Sequence, residues 1–153
     1  MTRQQQYELF LPFFEIEDKR YVALGQRATA FLGLSSVVTM FGGLNLAKLL
    51  PGLWIHLCAY GAAVLLLAAV LTALASLWIR SYKDICDVED TVVTIEAQKY
   101  DEEDVYSVLL ANLSDAISHN REINDQRATW LQWCATCFSL SVVAIVVTSI
   151  INV

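Results

Sequence analysis

The chain has 153 residues, of which 56% are hydrophobic and only 17% charged, and its formal net charge is −6. A globular chain carries roughly 25% charged residues, so this apolar excess calls for lipid or other subunits and argues against a free soluble monomer. The acidic balance argues against a nucleic-acid binder, which would carry a basic patch, and no polybasic run is present to grip anionic lipid.

The N-terminal stretch MTRQQQYELFLPFFEIEDKRYVALGQR does not read as a secretory signal, because Glu8, Pro12, Glu15, Glu17 and Asp18 interrupt its apolar residues. Phe10, Leu11, Phe13 and Phe14 form an aromatic cluster that suits a short segment at a membrane interface or against a neighbouring helix. Pro12 is expected to break or start that helix. From Ala28 to Ala47 the chain is uncharged between Arg27 and Lys48, which predicts a first span. Lys48 to Gly52 then predicts a tight turn, with Trp54 and His56 at an aromatic interface position.

Pro51 to Ile79 contains no Asp, Glu, Lys or Arg and ends at Arg80, which predicts a second span. Beyond it, Tyr82, Ile85, Val88, Val92 and Ile95 keep a helical spacing. On the return, Val105, Leu109, Leu113, Ala116, Ile117, Asn120 and Ile123 make a second stripe. The pair predicts an antiparallel helical hairpin with its tip at Lys99 to Asp104, where Asp101 suits an N-cap and Glu102, Glu103 and Asp104 suit the first turn of the returning helix. That acidic cluster lacks a calcium-loop pattern. A third span is predicted from Ala128 to the C-terminus, entered through Trp130 and Trp133.

The fold class expected is therefore an all-α integral membrane protein with three transmembrane helices, as one membrane domain over residues 1–153. It comprises an interfacial or cytoplasmic segment (1–27), a transmembrane hairpin (28–79), a cytoplasmic antiparallel helical hairpin (80–127) and a third transmembrane helix (128–153). Arg3, Lys19, Arg20 and Arg27 precede the first span, and Arg80, Lys83, Lys99, Arg121 and Arg127 lie between the second and third. The positive-inside rule then places the N-terminus and the hairpin in the cytoplasm and the C-terminus outside.

Nothing in the sequence points to catalysis. There is no nucleophile elbow, glycine-rich phosphate loop or H-E-x-x-H motif, and Cys134 and Cys137 form a C-x-x-C inside an apolar run with no second pair or histidine to complete a zinc site. No metal or cofactor is expected. Ser35, Thr39, Gly43, Thr72, Ser76 and Thr148 are small or hydroxylic residues within the apolar runs, and they suit helix packing or the lining of a pore. The polar belt Asn120, Arg121, Asn124 and Arg127 offers amides and guanidinium groups suited to a ligand or partner, or to snorkelling at the membrane boundary.

GQRATAFLGLSSVV, the Leu- and Ala-rich run ending in Trp78, Ile79 and Arg80, and VYSVLLANLSDAISHNREINDQRATWLQWC together resemble the small membrane effectors of bacterial antiphage signalling systems, in particular the Pycsar transmembrane effectors. That resemblance implies a homo-oligomeric inner-membrane protein, triggered by a cyclic nucleotide or a cytoplasmic protein, that impairs the membrane. The alternative is a non-catalytic structural or accessory subunit of a larger membrane complex.

Overall fold

The computed structural model describes residues 2–46, 53–79 and 102–151, which form three α-helices. They are α1 (Arg3–Leu46), α2 (Leu53–Trp78) and α3 (Glu102–Ile151). Helix α1 opens on a capping box in which Thr2 Oγ1 accepts from the Gln5 amide at 3.4 Å and the Gln5 side-chain carbonyl accepts from the Thr2 amide at 3.0 Å. Glu103 and Asp104 fall in the first turn of α3, where the helix dipole favours negative charge.

Two expectations for the N-terminal third are corrected. Pro12 lies inside α1, neither breaking nor starting it. A proline in a helix interior costs about 3 kcal/mol through its missing N–H and its ring, and the long stretch of helix on either side carries that cost. The count of three spans is the second. Among the described residues two helices are long and apolar enough to cross a membrane, α2 over His56–Trp78 and α3 over Glu103–Ile150. Ala28 to Ala47 is not a separate element: most of it is the C-terminal part of a 44-residue helix that begins in charged sequence. The expected fold of three transmembrane helices with an intervening hairpin is thereby overturned. The return helix and the last span are one unbroken 50-residue helix, α3. The outgoing hairpin arm with Tyr82, Ile85, Val88, Val92 and Ile95, and the turn at Lys48 to Gly52, lie outside the described residues.

The chain divides into two compact units, Met1–Ala23 with Arg80–Asp125, and Leu24–Ile79 with Gln126–Val153. In the first, α1 contributes Tyr7 against Tyr106 of α3, with ring centroids 6.2 Å apart. Leu113, Ala116 and Ile123 are its buried apolar residues on α3.

The second unit is built on small residues. Its buried positions on α2 are Ala62, Leu66, Ala69, Ala73 and Ser76, three or four residues apart, and those on α3 include Cys134, Ser141 and Thr148 at steps of seven. Sustained seven-residue spacing keeps one seam of a helix facing its neighbours, and small residues on that seam let backbones approach closely. Gly42 shows how close: a Cβ there would stand 3.3 Å from Ile145 Cδ1. Leu24 and Ala28 of α1 pack with Leu131, and Ala69, Ala73 and Cys134 form a second cluster. Phe31 belongs to the margin of both and meets Phe138 edge-on with centroids 5.9 Å apart.

Many of the large apolar side chains of this unit point the other way. Leu34, Met40 and Phe41 on α1, Tyr60, Val64 and Leu71 on α2, and Leu140, Val143 and Ile150 on α3 are all exposed. Only 22% of the apolar window of α2 and 17% of that of α3 is buried. The core helix of a soluble protein would be mostly buried, so neither helix has that character.

Candidate functional site

In the first unit the interior is polar at Glu17, which is 6% exposed, and at Asn124, which is fully buried. Asn124 Nδ2 donates both to the Glu17 backbone carbonyl and to Glu17 Oε2, each at 2.9 Å. Arg20 Nη1 lies 3.6 Å from Glu17 Oε2, and Arg121 Nε lies 3.7 Å from Glu17 Oε1. Arg20 Nη2 also donates to Asp125 Oδ1 at 2.6 Å, a short charge-assisted bond. A buried carboxylate is thus held by an amide on one side and by two guanidinium groups that reach it from the surface. Burying a charge is costly unless it is paired and hydrogen-bonded, and this arrangement supplies both conditions. Asn124 Oδ1 is buried without a hydrogen-bond partner.

The second unit holds its own buried cation. Arg127, 3% exposed, donates from Nε to the Ser76 carbonyl at 2.9 Å, and Ser76 Oγ donates to the Arg127 carbonyl at 3.3 Å. Ser76 lies in the last turn of α2, where the final carbonyls have no partner within the helix and the dipole is negative, so the guanidinium acts as a C-terminal cap supplied by another helix. Gly25 makes room: a Cβ there would stand 3.4 Å from Arg127 Nη2.

The remaining hydroxyls are committed locally. Thr39 donates to the Ser35 carbonyl at 2.7 Å, Thr72 to those of Ala68 and Ala69 at 2.9 and 3.0 Å, and Thr148 to that of Ala144 at 2.7 Å. Such bonds to a helix's own preceding turn need neither water nor a partner helix. Ser141 Oγ instead crosses from α3 to the Ala62 carbonyl of α2 at 2.9 Å, whereas Ser35 Oγ is buried with no partner. We expect Ser141→Ala to lower the thermal midpoint of the protein by the equivalent of about 1 kcal/mol, and Ser35→Ala to leave it unchanged or raise it.

The residues singled out from sequence are therefore divided between two units. Asn120 and Asn124 are buried in the first and Arg121 is exposed there, whereas Arg127 is buried in the second. Ser35, Ser76 and Thr148 are buried, Thr72 is half-buried and Thr39 is exposed. Gly43 belongs to the end of α1, and its surroundings lie outside the described residues. Sequence reasoning missed Glu17, Arg20 and Ser141. For Glu17 a signal existed: Phe10, Phe14, Glu17, Tyr21, Leu24 and Ala28 follow one another at steps of three and four, which puts a carboxylate in an apolar stripe.

Compared with known proteins, the chain matches no family model, and no curated protein or solved structure is significantly similar to it.

Proposed function

We propose that the protein is an oligomeric inner-membrane effector whose charged unit receives a cytoplasmic signal and whose apolar unit then permeabilises or depolarises the bilayer, as in the antiphage systems its sequence resembles. The observation that carries the membrane part is the inverted side-chain distribution of the second unit. Ser35, Ser76, Arg127, Ser141 and Thr148 are inside with alanines and a few leucines, while many large apolar residues of α1, α2 and α3 are outside. Hydrocarbon is the solvent that stabilises such a surface, and it makes polar pairing between helices favourable. The crossing helices are α2 and the C-terminal half of α3. A signal-responsive role is supported by α1 and α3, each of which supplies residues to both units, so a change at Glu17 and Asn124 has continuous helix leading away from it.

A cyclic nucleotide or a cytoplasmic protein is the proposed trigger. Cells expressing the protein together with its trigger should lose membrane potential within minutes, read with a potential-sensitive dye. An intact potential under full activation would overturn the effector role.

One observation favours the second reading, a structural subunit of a larger complex: the hydroxyls of Thr39, Thr72, Ser76, Ser141 and Thr148 all bond to helix carbonyls of this same chain. Purification in mild detergent separates the two. A ring of identical chains supports the effector, and stoichiometric recovery of a different membrane protein supports the subunit.

A further inference from the structure

Within the second unit, Leu71, Leu74, Ala75, Trp78, Ile79 and Trp130 line an open groove of about 520 Å³. Its position and its chemistry bear on what fills it. The groove lies at the C-terminal end of α2, where the uncharged run stops, and Trp130 closes it from the first turns of the apolar part of α3. Trp78 is 85% exposed and Trp130 is 42% exposed. Among the described residues neither indole N–H has a hydrogen-bond partner. An indole joins a large apolar ring to a single donor, and it is enriched at membrane interfaces because one end is satisfied by hydrocarbon and the other by polar oxygens.

We infer that this groove is a phospholipid site: one acyl chain lies along Leu71, Leu74 and Ala75, and the Trp78 and Trp130 indoles donate to the ester or phosphate oxygens above it. The inference rests on the membrane reading. The apolar floor suits a hydrocarbon chain, and two indole donors where the uncharged run of α2 stops suit acceptor oxygens at a membrane boundary. A phospholipid presents both, in the order the groove requires.

The test is native mass spectrometry of the full chain released from nanodiscs of palmitoyl-oleoyl phosphatidylglycerol. Wild type should retain one tightly held phospholipid per chain through detergent exchange. Ala75→Phe, which fills the floor, should reduce the retained lipid at least about fivefold, and Trp78→Phe with Trp130→Phe, which keep the apolar rings and delete the donors, about threefold or more. Wild type stripped of lipid, or full retention by Ala75→Phe, overturns the site. A photo-crosslinking residue at Leu74 gives an independent readout: a lipid adduct supports the site, and an adduct to a second copy of the chain overturns it. Carbonate extraction distinguishes the two levels. Chain released from washed membranes refutes the membrane reading, whereas chain that stays embedded but carries no lipid refutes only the groove.

Discussion

Arg127→Leu is expected to be the most damaging single substitution in the second unit, lowering the stability of the solubilised protein by about 2–4 kcal/mol. The change removes a charge-assisted hydrogen bond worth roughly 1.5–3 kcal/mol and leaves the Ser76 carbonyl at the end of α2 without its donor. Arg127→Lys should recover only part of the loss, since an ammonium keeps the favourable charge near the helix C-terminus but cannot reproduce the planar fork. Gly25→Leu should act on the same feature from the opposite side, since its side chain must enter space that begins 3.4 Å from Arg127 Nη2. A double-mutant cycle of Arg127→Leu with Ser76→Ala checks the assignment. Because Ser76 Oγ donates to the Arg127 carbonyl beside the guanidinium bond, a coupling of at least about 0.5 kcal/mol is expected. Strict additivity would show that the two bonds do not act together.

The second large effect is expected at Asn124. Asn124→Leu removes both bonds that Nδ2 makes to Glu17 and leaves the buried carboxylate with the longer contacts to Arg20 and Arg121, at 3.6 and 3.7 Å. The expected loss is about 2–3 kcal/mol, confined to the first unit and readable as faster amide exchange in residues 3–23 and 102–125. Asn124→Asp makes a sharper test because it sets a second carboxylate against Glu17. Two like charges at that distance hold one proton more tightly in the folded state than in the unfolded chain. The variant therefore gains stability relative to wild type as pH falls toward the carboxylate range near roughly pH 4. At neutral pH it should be the less stable of the pair by the widest margin. A stability gap that does not vary with pH would mean that Asn124 and Glu17 are not in contact. If the first unit receives the trigger, Asn124→Leu should also alter the trigger concentration needed for depolarisation, whereas Ser141→Ala should not.

The helical character of the described residues was legible from the sequence, and so were the two runs long and apolar enough to cross a membrane, although a third such run was expected and is not among them. Runs such as His56 to Trp78 carry no charge, and a helix is the way such a run satisfies its own backbone in an apolar surrounding. The unbroken α1 was not legible. Pro12 is a local stop signal, and only packing spread along both units outweighs it. The separation of the polar belt was also hidden. Asn120, Asn124 and Arg127 share a helical face in sequence, which suggests one site, yet their partners come from distant parts of the chain. Asn124 finds Glu17, 107 residues away, and Arg127 finds Ser76, 51 residues away.

What the sequence alone determined is therefore the local chemistry: helix formation, the uncharged lengths, and the small residues that allow helices to approach. These depend on the spacing of neighbours along one helix, which sequence states directly. Only the tertiary structure decided which polar groups are paired, that Glu17 is buried, and that many large apolar residues of the second unit face outward while alanine, serine and arginine share its interior with a few leucines. Burial and pairing are properties of residues far apart in the chain, and a single helix seen alone does not reveal which of its faces meets another helix and which stays exposed.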